Sequence, residues 1–218
     1  MIKAAVFDLD GTLLDSSEMW ENLPEIYLRT LNITPKPDLS RKLSELGLRE
    51  SAELVRREYD IPFSAEEMVR QVTHLAEDFY KNEVRLKDGV PRLLTHLQRH
   101  CIKMCIATGN DVSLTASALS RLHIEDFFTD IFGCDDYGGK NSPEVYLAAS
   151  ESLFASPSET VVFEDSLFAL KTAKAAGFTT AAVRDISEKK QDELRQTADY
   201  YAENIGDFTN IFCKSRLL

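Results

Sequence analysis

The stretch Val6-Phe7-Asp8-Leu9-Asp10-Gly11-Thr12-Leu13-Leu14-Asp15 decides how the rest of the chain is read. An apolar run, Ala4-Ala5-Val6-Phe7, leads into two aspartates one residue apart, then a glycine, a hydroxyl residue and a third aspartate. The run is short and ended by turn formers, which predicts a buried strand. Carboxylates crowded at a strand end repel one another unless a divalent metal, a positive side chain or protonation of one of them relieves the charge. Asp and Gly are also common turn residues, so an Asp-x-Asp alone reads as a polar turn. The full Asp-x-Asp-Gly-Thr after a strand points to chemistry.

Outward from this stretch the pattern changes twice. From Asp15-Ser16-Ser17-Glu18, which suits a helix start, to about Val84, strand signals are nearly absent. Trp20, Leu23, Ile26-Tyr27 and Leu31 fall at helical spacing, with Pro24 early enough to be tolerated near the first turns. Leu39, Leu43 and Leu46 form a short apolar stripe ended by Gly47. Leu48 to Tyr59 continues helically, and Ser64-Ala65-Glu66-Glu67 opens a long helix in capping-box style. After Lys87-Asp88-Gly89-Val90-Pro91, strands and helices alternate. Strands are predicted at Ile102 to Ala107, Phe127 to Phe132, Thr160 to Phe163 and Thr179 to Val183. Helices are predicted at Arg92 to His100, Asp111 to Leu122, Glu144 to about Phe154 and Ser166 to Ala176. The tail with Leu194, Tyr200-Tyr201, Ile205 and Phe208 reads as a final helix and strand. Such alternation implies right-handed crossovers and a parallel sheet. The expected architecture is an α/β parallel-sheet core, residues 1–15 and 85–218, interrupted after its first strand by a helical insertion, residues 16–84.

The 218 residues suffice for one substantial core plus an inserted subdomain. A formal net charge of -11 opposes nonspecific nucleic-acid or anionic-membrane binding. It does not oppose a phosphorylated substrate, because screening confines surface charge to about 8–10 Å at physiological salt and local cations override it. No apolar run approaches the ~20 residues of a transmembrane helix, and with Met1-Ile2-Lys3 running into the first strand the expectation is that there is no secretory leader. Cys101, Cys105, Cys134 and Cys213 form no Cys-x-x-Cys pair and read as buried small hydrophobes in a reducing cytoplasm.

In an open parallel sheet, ligands bind outside the carboxyl ends of the strands. Polar groups cluster at four such ends: Asp8/Asp10, Thr108/Asn110, the region before Lys140, and Glu164/Asp165. Gly109-Asn110-Asp111 also suits a helix cap, and acids at a helix start, as in Glu164-Asp165-Ser166, are favourable on their own.

Phe7-Asp8-Leu9-Asp10-Gly11-Thr12 resembles the nucleophile motif of the haloacid dehalogenase-like (HAD) hydrolases, most of which are magnesium-dependent phosphatases. Thr108 follows the second strand as that family's second motif does. Lys140-Asn141-Ser142-Pro143-Glu144-Val145-Tyr146 resembles the third motif, with Asn141 in place of the commoner proline. Val161-Val162-Phe163-Glu164-Asp165-Ser166 resembles the fourth. The resemblance spans Asp8 to Gly177 and sharpens the architecture to a Rossmann-like core with a C1-type helical cap. It implies Asp8 as nucleophile forming an aspartyl-phosphate and Asp10 as general acid/base with its carbonyl on the metal. It further implies Thr108, Gly109, Asn110 and Lys140 around the phosphoryl group, with Lys140 a catalytic cation that also neutralises the Asp8 carboxylate, and Mg2+ held by Asp8, Asp10, Asp165 and Glu164, the last directly or through water. Thr12 is expected to orient Asp10 or water. Trp20 reads as a wall above the leaving group or as cap core, and Arg49 as an anion contact or a solvated arginine. The cap is expected to close the site and exclude water.

The expected substrate is a small phosphorylated metabolite, a sugar phosphate by family frequency. No nucleic-acid or membrane partner is expected, and the chain is expected to be a monomer or small homo-oligomer. The β-phosphoglucomutase branch shares this cap and core, but there an apolar residue stands at the place of Thr12 and a histidine at that of Trp20. Both departures favour hydrolysis over transfer within a sugar; a phosphoryl-binding regulator is the third reading. Phosphonate-cleaving relatives use a cap lysine, and none lies between Lys3 and Lys36.

Overall fold

The computed structural model describes residues 1–215 apart from 44, 45 and 47; the expected helix stop at Gly47 lies outside the described residues. The chain divides into two compact units, Met1–Ser16 with Val84–Leu218, and Ser17–Glu83.

The larger unit is built on a six-stranded sheet in the order β3-β2-β1-β4-β5-β6, with every pairing parallel. Its strands are β1 (Ala4–Phe7), β2 (Lys103–Thr108), β3 (Ile131–Gly133), β4 (Thr160–Glu164), β5 (Thr179–Val183) and β6 (Tyr200–Ala202). This is the α/β parallel-sheet class expected from the alternating pattern. β1 is apolar at every position because a central parallel strand is covered on both faces. Ala4 and Val6 share a cluster with Cys105, Val162, Val145 and Tyr146. Phe7 instead stacks on Phe163 with ring centroids 4.3 Å apart, and Phe163 meets Phe208 edge-on at 5.2 Å.

The strand order reverses at β1: the chain moves to β2 and β3 on one side, then to β4, β5 and β6 on the other. Register places Phe7 opposite Phe163, and the Asp8 amide donates to the Phe163 carbonyl at 3.0 Å. Asp8 therefore emerges beside Glu164 at the switch point, where an open parallel sheet leaves a crevice for ligands. The two chain crossings into the helical unit run side by side. The Asp15 amide donates to the Arg85 carbonyl and the Lys87 amide to the Leu13 carbonyl, both at 2.9 Å.

The helices of the sheet unit are α5 (Val90–Arg99), α6 (Val112–Arg121), α7 (Glu144–Ser152), α8 (Leu167–Ala175), α9 (Gln191–Thr197) and α10 (Phe208–Ser215). The helical unit holds α1 (Ser17–Thr30), α2 (Leu39–Leu43), α3 (Leu48–Glu58) and α4 (Ala65–Asn82). Their apolar faces meet in a separate core around Tyr27, Leu28, Leu39, Val55 and Met68. Ser64 caps α4 by accepting from the Glu67 amide at 3.1 Å. Pro24 stands inside α1, deeper than its expected place near the first turns.

Three sequence expectations need correction. The strand expected over Phe127 to Phe132 begins only at Ile131, because Glu125–Phe127 closes into a tight 3-10 turn first. Phe208 does not belong to a closing strand. Asn204 caps a turn by accepting from the Gly206 amide at 2.8 Å, and α10 follows, carrying Phe208 and Phe212 onto Phe163. Cys105 and Cys134 are buried as expected, whereas Cys101 and Cys213 are exposed thiols. Among the described residues no helix is long and apolar enough to cross a membrane.

Candidate active site

Asp8 and Glu164 sit at neighbouring strand ends and share one cation. Lys140, from the loop before α7, places its ammonium on Asp8 Oδ1 and lies 2.7 Å from Glu164 Oε1. Glu164 is fully buried, and its Oε1 also accepts from the Tyr146 hydroxyl at 2.7 Å. Burial pushes the Glu164 carboxyl up to about 7, against the pull of Lys140. Burial alone would lower the Lys140 ammonium; Asp8 and Glu164 more than offset it and raise it. Burial, then the charge of Glu164, likewise raises the Tyr146 phenol, so this hydroxyl is held as a proton donor to Glu164.

Asp165 is buried next to this pair. Burial, then the charges of Asp8 and Glu164, raises its carboxyl well above the ordinary range. Thr12, also buried, donates to Asp165 Oδ1 at 3.3 Å. That differs from the expectation that Thr12 orients Asp10 or water: the turn at Gly11, with φ +81, carries Thr12 back toward β4.

Asp8, Glu164 and Asp165 each offer an oxygen within 4.8 Å of the others, and among the described residues this is the group able to hold a metal ion. Two like charges at 4.8 Å cost roughly 3.5 kcal/mol at an effective dielectric near 20, and the cluster encloses a single ammonium. Glu164 Oε2 is buried and has no hydrogen-bond partner among the described residues. An orphaned carboxylate oxygen beside an excess of negative charge fits a hard divalent cation with oxygen ligands, as magnesium is.

The Asp10 carboxylate is not a member of that group. Its Oδ1 accepts from Ser16 Oγ at 2.6 Å and its Oδ2 from Asn110 Nδ2 at 3.1 Å. Thr108 is buried at the end of β2, and its Oγ1 accepts from the Asn110 amide at 3.0 Å. The capping role is taken by Asp111, which accepts from the Leu114 amide at 2.9 Å, so Asn110 and Asp111 divide the two readings between them. Gly109 has open space around its missing side chain, leaving room at this strand end for a ligand. Asp8, Asp10, Thr12, Thr108, Asn110, Lys140, Glu164 and Asp165 are thus brought together within the sheet unit.

Trp20 and Arg49 belong to the helical unit. Trp20 is exposed, and its indole Nε1 donates to the Tyr80 hydroxyl at 2.8 Å. Arg49 is exposed and pairs with Glu66 at 2.7 Å and with Glu53 at 3.8 Å. Several site groups carried no sequence signal of their own. Tyr146 was only part of the stretch after Lys140, Ser16 only a helix cap, and Lys87, Asp185 and Ser187 match no motif.

A family description of haloacid dehalogenase-like hydrolases matches residues 5–183. The chain belongs to that family. It is 30% identical over 180 residues to a phosphorylated carbohydrates phosphatase from Thermotoga maritima, covering 81% of this chain and 82% of that one. A probable pseudouridine-5'-phosphatase from Drosophila melanogaster is 29% identical over 92% of both chains. A crystal structure of a putative beta-phosphoglucomutase from Thermotoga maritima superimposes with a TM-score of 0.85 at 24% identity, covering 98% of this chain and 99% of that one. At that identity the likeness establishes the shared HAD fold. The six-stranded parallel sheet of this HAD hydrolase is the Rossmann-like core that its sequence motifs imply.

Proposed function

We propose that this HAD hydrolase is a magnesium-dependent phosphatase that removes the phosphoryl group from a small phosphorylated metabolite, a sugar phosphate in the first instance. The observation that carries the reading is the buried Asp8–Lys140–Glu164 arrangement beside Asp165 at the sheet's switch point. The names of the Thermotoga and Drosophila relatives support the substrate class. The proposed compartment is the cytoplasm, where four free cysteines stay reduced.

Asp8 is the proposed nucleophile. Its carboxylate oxygen attacks phosphorus, the bond from phosphorus to the ester oxygen breaks, and Asp10 gives its proton to the leaving oxygen. Water then attacks the aspartyl-phosphate, Asp10 takes the proton, and the bond to Asp8 breaks to release inorganic phosphate. Lys140 holds Asp8 in place and stabilises negative charge on the phosphoryl oxygens. Thr108 and the backbone at Gly109-Asn110 supply hydrogen bonds to the same oxygens. Ser16 and Asn110 orient Asp10. Asp8, Asp165, Glu164 and the Asp10 carbonyl are the proposed magnesium ligands; when bound, the ion supplies Lewis-acid neutralisation of the phosphoryl charge.

The test is incubation of the protein and Asp8→Asn with hexose, pentose, polyol and nucleoside monophosphates, with and without Mg2+. Phosphate release that requires Mg2+ and disappears in Asp8→Asn supports the proposal. No release across the panel, or an Asp8→Asn variant equal to wild type, overturns it. Phosphate moved to another carbon of glucose 1-phosphate assigns the chain to the mutase reading.

A further inference from the structure

Behind Gly11 lies a second, partly buried cation that the phosphatase scheme does not use. Lys87 follows the return crossing from the helical unit, and its side chain is 16% exposed. Its three ammonium protons meet three acceptors: the Gly11 carbonyl at 2.6 Å, the Arg184 carbonyl at 2.9 Å and Asp185 Oδ2 at 2.7 Å. Asp185, just beyond the end of β5, is buried. Its Oδ1 accepts from the Ser187 amide at 3.0 Å and from Ser187 Oγ at 2.8 Å. The hydroxyl has a single proton, which it shares between Asp185 Oδ1 and Asp165 Oδ2, the latter at 3.3 Å. Gly11 completes the circle: a Cβ there would fall 2.5 Å from Asp165 Oδ2 and 3.1 Å from Asp185 Cγ.

A lysine this enclosed loses hydration and rotamer freedom, and an ion pair so buried is a weak source of net stability. Surface retention of a charge is therefore a poor account of it. What the pair does in geometry is definite. It fixes the carbonyl of the turn between Asp10 and Thr12, and it fixes the hydroxyl against one oxygen of Asp165, whose other oxygen is already held by Thr12. Outer partners of this kind set the orientation of ligating carboxylates and change metal affinity about 10- to 100-fold when removed.

We propose that the Lys87–Asp185 ion pair, with Ser187, is a positioning device for the metal-binding half of the site, holding the Gly11 turn and the Asp165 carboxylate in register with Asp8. The inference rests on the assignment of Asp165 as a metal ligand.

The double variant K87M/D185N tests it, because it removes both charges together and leaves neither buried without a partner. Mn2+ binding is measured on the full chain by electron paramagnetic resonance of the free ion, with no substrate present, and folding by circular dichroism. The expected result is a folded protein that binds Mn2+ about 10-fold or more weakly than wild type, with a matching rise in the Mg2+ needed for half-maximal turnover. S187A, which keeps the ion pair and removes the hydroxyl, is expected to shift binding in the same direction by a smaller factor and carries the test should the double variant not fold. Unchanged Mn2+ affinity in a folded double variant, or in S187A where that variant carries the test, overturns the proposal. Weakened Mn2+ binding in a protein whose wild type hydrolyses no phosphate ester supports the positioning role and overturns the phosphatase reading alone.

Discussion

Asn110 donates its side-chain amide to Asp10 Oδ2 at 3.1 Å across a separation of 100 positions, joining the end of β2 to the loop that follows β1. With Ser16 on the other oxygen, it fixes the plane of the proposed acid/base. Asn110→Ala is expected to fold normally and to lower kcat about 10-fold, part of the 10²–10⁴ that a positioned proton donor contributes. KM is expected to change less than kcat. Steady-state kinetics on the best substrate of the panel check this; a purely KM effect would place Asn110 in substrate binding instead.

Tyr146 and Lys140 are the partners of Glu164 Oε1. Above pH 7, where Glu164 is ionised, Tyr146→Phe keeps the ring in its buried place but removes the hydroxyl from a charged acceptor. A hydrogen bond to a charged group contributes about 1.5–3 kcal/mol, so urea unfolding is expected to show a loss of that order with an unchanged denaturant slope.

Magnesium binding to the folded state alone must raise its stability, by about 2.7 kcal/mol at 100 times the dissociation constant. Thermal unfolding of wild type is expected to shift upward with added Mg2+. Asp165→Asn is expected to lose most of that shift, because an amide carries no charge and offers one oxygen where the carboxylate offered two. An Asp165→Asn variant with a wild-type Mg2+ response would remove this residue from the site.

Glu159, at the opposite end of β4 from the chemistry, is expected to make a pH-dependent contribution to stability. Lys3, 2.5 Å away, and donors from Ser156 hold its carboxyl down to about 2, below its ordinary 4.5. A folded-state value below the unfolded one means the contribution is present above about pH 4.5 and fades as pH falls toward 2. Wild type is therefore expected to be more stable than Glu159→Gln at pH 6, with the difference shrinking steadily on acidification. Denaturation midpoints measured from pH 6 to pH 3 check the trend.

Some of this was legible one residue at a time. Ala4–Phe7 is an unbroken apolar run before turn formers, and Thr179 to Val183 is marked the same way, so both strands stand where their local patterns put them. Phe208 was misread for the same reason. An aromatic among apolar neighbours suits a strand as well as a helix, and the Asn204 turn that starts α10 is marked only by a side-chain hydrogen bond. Cys101 and Cys213 were assigned to the interior by residue type, though their helix-end and last-helix positions expose them.

Local patterning accounts for the alternation of strands and helices and for the acids at the strand ends, because periodicity and turn chemistry act over a few residues. The finer pairing of donors with oxygens is set by packing between distant segments. Glu164 joins Asp8 on Lys140, Thr12 turns to Asp165 rather than Asp10, and Lys87 reaches Asp185 across 98 positions. Those pairings follow from the order and register of strands adjacent in the sheet but distant in the chain, and no local pattern carries that information.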